Sequence, residues 1–270
     1  MKIVAIIPAR FASTRLPGKP LSDIHGKPMI QHVHEQVARA RGIERVLVAT
    51  DDRRIAEAVR RFGGEAVLTS HEHATGTDRL AEAARGLDAD VVVNVQGDEP
   101  LIDPLWIEAA LTPMVDDLAL PIATLSLPIR NVEEMLSPSV VKVVTNREGD
   151  ALYFSRSPIP FVRQGAASDL RAAASAAVAR GLARKHVGLY AYRRDALLRF
   201  AALPPAAIEE AEGLEQLRAL SNGMRIRVVP VEGESGPAVD TPEDLARVRS
   251  LRAGRDTSAG ARQPEVKEAG

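Results

Sequence analysis

Cysteine is absent from this 270-residue chain, which removes disulfides, thiolate metal ligands and thiol nucleophiles together. Aromatic residues make up only 3%, too few for the stacking platforms that hold single-stranded nucleic acid. No excess of either charge is present: 35 Lys and Arg stand against 36 Asp and Glu, for a formal net charge of -1. Neither nucleic acid nor an anionic membrane surface attracts such a chain as a whole, so any anion site must be local. Long apolar runs are lacking too. The N-terminal run is five residues, Ile3-Val4-Ala5-Ile6-Ile7, with Arg10 soon after; a signal-peptide core is longer. No stretch approaches the roughly 18 apolar residues of a membrane span. A cytoplasmic location is therefore expected.

What is present begins with that run, which breaks at Pro8 into a segment carrying Arg10, Ser13, Arg15 and Lys19. Continuous Ile and Val closed by Pro suit a strand of a parallel sheet buried on both faces. Pro8, Pro17, Gly18 and Pro20 keep the next stretch from being helical, so irregular backbone must present the cations. In open α/β folds ligands sit beyond the carboxyl ends of the strands, where this loop would lie. Three like charges so close repel one another unless an anion comes between them. Arg offers phosphate oxygens a planar fork of donors, Lys a mobile point charge, and Ser13 a hydroxyl. The bland alternative is a solvated basic turn; the position after a strand favours a polyphosphate site.

Met29, Ile30, Val33 and Val37 recur at helical spacing, and Gly42 stands where a helix would stop. A strand at Arg45–Thr50, a helix from Asp51-Asp52 to Gly63-Gly64, a strand at Glu65–Thr69, a short helix at Asp78–Arg85 and a strand at Asp90–Val95 follow. A helix over Pro104–Asp117 and a strand over Ile122–Ile129 continue the alternation. It predicts an α/β fold with a mostly parallel sheet and helices on both faces. Past Asn131 the rhythm changes. Strands at Val140–Thr145, Leu152–Ser157 and Val187–Arg193 suggest a smaller mixed-strand lobe around residues 130–200, and the Ala-rich stretch 164–184 reads as a mobile insertion in preference to a helix. A helix over Ile208–Leu220, a strand over Arg225–Val231 and a helix over Pro242–Leu251 return to the first pattern, so residues 1–252 are expected to form the catalytic domain. Residues 253–270, polar and without period, read as a disordered tail.

Two acids stand out. Val91-Val92-Val93-Asn94-Val95 runs into Gln96-Gly97-Asp98-Glu99-Pro100. A buried strand that delivers Asp98 beside a Gly at its carboxyl end is a common way to hold Mg²⁺ near phosphates, since that ion takes a few carboxylates plus phosphate oxygens and water. Asp98 and Glu99 stand too far before the helix at Pro104 to cap it well. Asp240 precedes Thr241-Pro242-Glu243-Asp244, a helix start in which Thr241 caps, Pro242 opens and Asp244 completes a capping box. That leaves Asp240 without a helical duty, with metal ligand and cap evenly balanced on local sequence.

The run Ile7-Pro8-Ala9-Arg10 and Ala12-Ser13-Thr14-Arg15-Leu16-Pro17-Gly18-Lys19-Pro20, together with Val95-Gln96-Gly97-Asp98-Glu99-Pro100, closely resembles the CMP-Kdo synthetases, the 3-deoxy-manno-octulosonate (Kdo) cytidylyltransferases. Val141-Lys142-Val143-Val144, Ala151-Leu152-Tyr153-Phe154-Ser155-Arg156, His186-Val187-Gly188-Leu189-Tyr190, Leu214-Glu215-Gln216-Leu217-Arg218 and Val239-Asp240-Thr241-Pro242-Glu243-Asp244-Leu245 extend the match over nearly the whole chain. The resemblance implies a nucleotide-diphospho-sugar transferase-like fold and transfer of CMP from CTP to Kdo with release of pyrophosphate. It also implies Mg²⁺ as cofactor, a place in lipopolysaccharide biosynthesis, and a homodimer formed through second-half strands. Carried onto matching positions, Arg10, Ser13, Arg15 and Lys19 become the triphosphate site, and Asp98 and Asp240 the Mg²⁺ ligands. Arg10, Lys19, Asp98 and Asp240 would be the catalytic set. Thr75, Gly76 and Arg79 would meet the cytosine, and Gln96 the sugar or nucleotide. Arg156, His186, Tyr190, Glu215 and Gln216 would form the Kdo side, with Arg156 and His186 as donors for the sugar carboxylate.

Two other readings compete. A close relative would activate another acidic sugar, a sialic acid or an amino-Kdo. A nucleotide-binding regulatory protein without turnover would be expected to have lost its metal carboxylates, and both are in place. A nucleic-acid partner is disfavoured by the charge balance and the few aromatics.

Overall fold

The first strand, β1 (Ile3–Ala9), is apolar throughout because both of its faces are covered. Consecutive strand residues point to opposite sides. Ile3, Ala5, Ile7 and Ala9 accordingly join one core layer, Val4 and Ile6 the other. A computed structural model describes residues 1–260 apart from 14, 74, 164–168 and 235, with side chains described to residue 253.

Around β1 the sheet is built from β4 (Arg45–Thr50), β5 (Glu65–Leu68), β6 (Val91–Asn94), β7 (Ile122–Pro128), β10 (Arg184–Arg193) and β11 (Ile226–Pro230) in the order β11-β7-β10-β6-β1-β4-β5. β1 runs parallel to β4 and β6, β4 to β5, and β11 to β7. β10 alone among these seven runs antiparallel, to both β6 and β7. The expected mostly parallel sheet is thus present, with one reversed strand wedged into it. A two-stranded ribbon, β2 (Asp23–Ile24) and β3 (Lys27–Pro28), lies apart.

One face packs on α1 (Met29–Val37), α2 (Arg53–Arg61) and α4 (Pro104–Asp116), through residues such as Ile30, Ile55 and Ile107. The other packs on α3 (Gly76–Arg85) and α7 (Arg194–Ala201), through Leu80, Leu197 and Phe200. Each fully buried side chain of this kind contributes roughly 1.5–3 kcal/mol. Together they fix the strand ends that carry the site.

In the second half β8 (Lys142–Thr145) and β9 (Ala151–Ser155) extend from β10 as an antiparallel ribbon. The Ala-rich stretch is not a mobile insertion over its described part: residues 170–179 form α6 (Leu170–Ala179), and residue 184 already belongs to β10. Ala173, Ala174 and Ala177 lie on one side of that helix. They bury against Ile129, Met135 of α5 (Val132–Leu136) and Val162. Alanine is the strongest helix former, and its small side chain allows this close packing. Asp169 caps the helix by accepting from the Arg171 N–H at 2.9 Å.

The single helix expected over Ile208–Leu220 is two, α8 (Ala207–Glu212) and α9 (Gln216–Ser221). Gly213 sits between them at φ 61°, the left-handed conformation that ends a helix and suits glycine. The last helix, α10 (Pro242–Gly260), runs beyond the expected end at Leu251 and takes in the first residues of the expected tail; residues 261–270 lie outside the described ones.

Candidate active site

Beyond β1 the chain wraps around Phe11. The N–H of Gly18 donates to the Phe11 carbonyl at 3.1 Å, and at φ 69° a Cβ on Gly18 would meet the Phe11 ring at 3.1 Å. The Arg54 guanidinium of α2 covers the ring from outside, 3.4 Å from its centroid, a cation–π contact that seats the loop on the sheet. A single 3-10 turn at Lys19–Leu21 follows and turns the Lys19 side chain inward.

Lys19 Nζ lies 2.8 Å from Asp98 Oδ2 and 3.1 Å from Asp240 Oδ1. Burial would lower the Lys19 pKa, but the two carboxylates outweigh it and leave it raised, so the ammonium stays charged. Arg15 reaches Asp240 Oδ2 at 3.1 Å from the more exposed side.

Asp98 arrives there because β6 ends in a turn that only glycine permits. A Cβ on Gly97 would fall 2.7 Å from the carbonyl oxygen of Pro8, so β1 and the β6 turn approach closely only without a side chain. Neither Asp98 nor Glu99 caps α4. Asp103 does, accepting from the Leu105 N–H at 2.9 Å. Glu99 has its pKa pushed up to about 7, by burial first and by Asp98 second.

Asp240 is delivered by α10. Val239, Leu245 and Val248 pack with Ile24, Met29 and Leu101 in a small apolar cluster. The Val239 N–H donates to the Asp98 carbonyl at 2.9 Å. Thr241 and Asp244 form the expected capping box, the Asp244 N–H donating to Thr241 Oγ1 at 3.2 Å and the Thr241 N–H to Asp244 Oδ2 at 3.0 Å. The cap is therefore Thr241, and the Asp240 carboxylate is free to face Lys19.

These groups border a cleft of about 410 Å³, and every residue expected at the nucleotide lines it: Arg10, Ser13, Arg15, Lys19, Thr75, Gly76, Arg79 and Gln96. Arg79 is held from behind, Nη1 donating to Thr69 Oγ1 at 2.5 Å and Nη2 to Asp51 Oδ2 at 2.8 Å. Thr75 caps α3, whose first backbone N–H groups and positive dipole end border the cleft. Guanidinium groups, an ammonium and a helix start around one space make an anion site.

Among the described residues no group of three or more His, Cys, Asp or Glu gathers in metal-ligand fashion. The pair Asp98 and Asp240, converging on one cation, fits instead an ion that takes one or two carboxylates and completes its shell with water and substrate phosphates, as Mg²⁺ does.

A second cavity of about 210 Å³ adjoins the first, sharing Gly76 and Gln96. Tyr190, Glu215 and Gln216 line it. Glu215 Oε2 accepts from Thr77 Oγ1 at 2.5 Å, linking the turn after α8 to the start of α3. Gln96 Nε2 donates to the Gly188 carbonyl at 3.4 Å, on the boundary between the cavities. Burial, with Glu215 adding to it, raises the Tyr190 pKa and keeps the phenol neutral.

Arg156 and His186 are not among the residues lining this cavity. Arg156 donates to the carbonyls of Glu212 at 2.6 Å, Pro138 at 3.0 Å and Gly213 at 3.3 Å, which clamps the α8–α9 turn from behind. His186 packs its ring between Phe154 and Tyr190, with centroids at 5.1 and 5.3 Å, and its Nε2 lies 2.9 Å from Thr124 Oγ1. Burial pushes its pKa down to about 3, so it stands as a neutral ring beside Tyr190 that brings no positive charge to a sugar carboxylate. Thr77, Asn94 and Tyr192 line the cavity as well, and none of the three is among the residues expected at the sugar. A polar Asn closing a run of valines was the available sign for Asn94.

A cytidylyltransferase family model matches residues 4–226. A 3-deoxy-manno-octulosonate cytidylyltransferase of Geobacter sulfurreducens is 60% identical over 248 residues, 92% of this chain and 98% of the relative. The chain belongs to this family. The family's member from Trichlorobacter lovleyi is 58% identical over 249 residues, covering 92% of this chain and 98% of its own. Among solved structures, a CMP:2-keto-3-deoxy-manno-octonic acid synthetase complexed with CTP superposes with a TM-score of 0.87 at 49% identity, covering 94% of this chain and 100% of that one. The nucleotide-diphospho-sugar transferase-like fold expected from the motifs is the fold of this family.

Proposed function

We propose that the protein transfers CMP from CTP to Kdo, giving CMP-Kdo and pyrophosphate, and so activates Kdo for lipopolysaccharide assembly. The observation that carries this reading is Lys19 held between Asp98 and Asp240 at the edge of a cationic cleft that opens beside a second, polar cavity. The anomeric hydroxyl oxygen of Kdo forms a bond to the α-phosphorus of CTP, its proton passes to solvent, and the bond from the α-phosphorus to the bridging oxygen of the β-phosphate breaks to release pyrophosphate. Arg10, Ser13 and Arg15 bind the triphosphate, while Lys19 faces the charge that builds on the phosphate oxygens. The start of α3, with Thr75, Gly76 and Arg79, borders the nucleoside end. Tyr190, Glu215 and Gln216 read the sugar, and Gln96 stands where the two substrates meet. Asp98 and Asp240 would hold Mg²⁺, which when bound neutralises phosphate charge.

Purified protein incubated with CTP, Mg²⁺ and Kdo should release pyrophosphate, and removal of Mg²⁺ with EDTA should stop it. Release with a sialic acid or an amino-Kdo but none with Kdo would overturn the substrate assignment. CTP binding without release from any acid sugar would make this a regulatory nucleotide binder.

A homodimer is part of the proposal. Among the described residues β9 pairs along its length with β8 alone, and its Leu152 is 62% exposed, an apolar side chain of the kind that association covers. Light scattering that returns the monomer mass at assay concentration would refute it. No described helix is long and apolar enough to cross a membrane, and a reaction that consumes CTP is expected to run in the cytoplasm.

A further inference from the structure

β6 presents a polar group where its pattern calls for an apolar one. Val91, Val93 and Val95 enter the core layer on one side of the sheet. Val92 enters the other, and Asn94 follows it on that same side. Asn94 is only 4% exposed. Its Oδ1 is buried and has no hydrogen-bond partner among the described residues. Buried amides are almost always paired, because leaving one unpaired forfeits its hydration without compensation.

The unpaired group is not sealed in the core, for Asn94 lines the second cavity. Tyr190, its partner across the antiparallel β6–β10 pairing, lines that cavity too. Tyr190 in turn stacks on Tyr192 with centroids 5.5 Å apart. The amide therefore stands beside a wall of aromatic rings, opposite polar groups that already have partners: Glu215 accepts from Thr77 and Gln96 donates to the Gly188 carbonyl.

We propose that Asn94 is a specificity-determining residue that hydrogen-bonds a hydroxyl of the acid sugar. The proposal rests on the reading of the second cavity as the sugar site. A carboxamide carries one acceptor atom and one donor atom, and a hydroxyl both accepts and donates, so the two are complementary in either orientation of the amide. Being uncharged, the amide neither repels the sugar carboxylate nor pairs with Glu215. A hydroxyl in the cavity satisfies the orphaned atom, and a sugar lacking that hydroxyl leaves it unpaired, which is how a buried polar group discriminates between analogues.

The test replaces the amide by apolar groups of similar size, Asn94→Leu and Asn94→Val, the second continuing the valine run of the strand. Wild-type pyrophosphate release with Kdo is measured first. Failure at that step concerns the substrate assignment, and the variants are then compared on whichever acid sugar the wild type uses. The expected result for both variants is a KM for the sugar raised about tenfold, equivalent to about 1.4 kcal/mol, an unchanged KM for CTP, and a Tm equal to or above that of the wild type. The unchanged or higher Tm separates this role from a structural one, because removing a partner needed by the fold would lower it. A sugar KM within about twofold of wild type in the better-folded variant, or a lowered Tm in both, overturns the proposal.

Discussion

The N–H of Val239 donates to the carbonyl of Asp98 at 2.9 Å, and this backbone contact turns two acids far apart in sequence into a pair. It fixes the segment before α10 against the turn after β6, so that the next side chain, Asp240, faces the Lys19 ammonium that Asp98 also holds.

Asp98→Ala should reduce pyrophosphate release by roughly 10²–10³-fold, the scale of removing one preorganised electrostatic group from a reacting centre. The fold should survive, since the contact with Val239 uses the Asp98 carbonyl and not its side chain. Asp240→Asn should act in the same direction and raise the Mg²⁺ concentration needed for half-maximal rate. Rates with a Tm measured alongside check both; unchanged turnover in Asp98→Ala would reduce the site to a binding module.

Gly97→Ala tests the approach of β6 to β1. The added methyl would lie 2.7 Å from the Pro8 carbonyl oxygen, so backbone must move, at a cost of about 1–3 kcal/mol by analogy with overpacked cores. The movement displaces Asp98, so kcat should fall with stability. Gly86→Ala is the control: nothing lies within 4 Å of its Cβ position, and its φ of -89° suits any residue. Denaturant melts and kcat should be affected in the first variant and unaffected in the second.

Much of this was legible because the signals were local. The apolar run closed by Pro8, the cations after it, and the Val-rich strand delivering Asp98 each announce themselves within a dozen residues. Asp240 could not be decided that way. Local sequence shows that Thr241 and Asp244 can form the cap, but that Asp240 meets Asp98 depends on a tertiary contact of Val239 and the packing of Leu245 and Val248 on Leu101. The alanines of α6 misled for a related reason. Whether such a helix is held depends on what covers it, and the surface made by Ile129, Met135 and Val162 comes from other parts of the chain. Arg156 and His186 match the family motifs at their positions, yet the motif does not reveal that carbonyls take the donors of one and that burial neutralises the other.

Arg156→Met should raise the KM for Kdo through the α8–α9 turn. Its guanidinium holds the carbonyls of Glu212, Pro138 and Gly213, and the same turn carries Glu215 into the sugar cavity. Losing these bonds should cost about 1–3 kcal/mol of stability and weaken Kdo binding while leaving the KM for CTP nearly unchanged. Gly213→Ala keeps the Arg156 guanidinium but strains the left-handed turn, with the new Cβ in van der Waals contact 3.8 Å from Arg156 Nη2, and should reproduce the effect in weaker form. If Arg156→Met weakens Kdo binding without any fall in Tm, Arg156 acts on the sugar directly.

The pH dependence of stability carries a signature of His186. Burial lowers its pKa from 6.5 to about 3 in the folded protein, so below pH 6.5 the unfolded chain takes up a proton that the native one refuses. Stability from this group is complete above pH 6.5 and is lost as pH falls towards about 3, at a rate of at most about 1.4 kcal/mol per pH unit. His186→Phe keeps an aromatic ring between Phe154 and Tyr190 and gives up only the contact with Thr124. Between pH 6.5 and 5, before most carboxylates titrate, wild-type stability should decline more steeply than that of His186→Phe, which keeps the slope from His32 and His34, whose pKa values burial also lowers. Denaturant unfolding across that interval measures both slopes, and parallel curves would show that His186 titrates in the native protein as it does in the unfolded chain and so is not held neutral by burial.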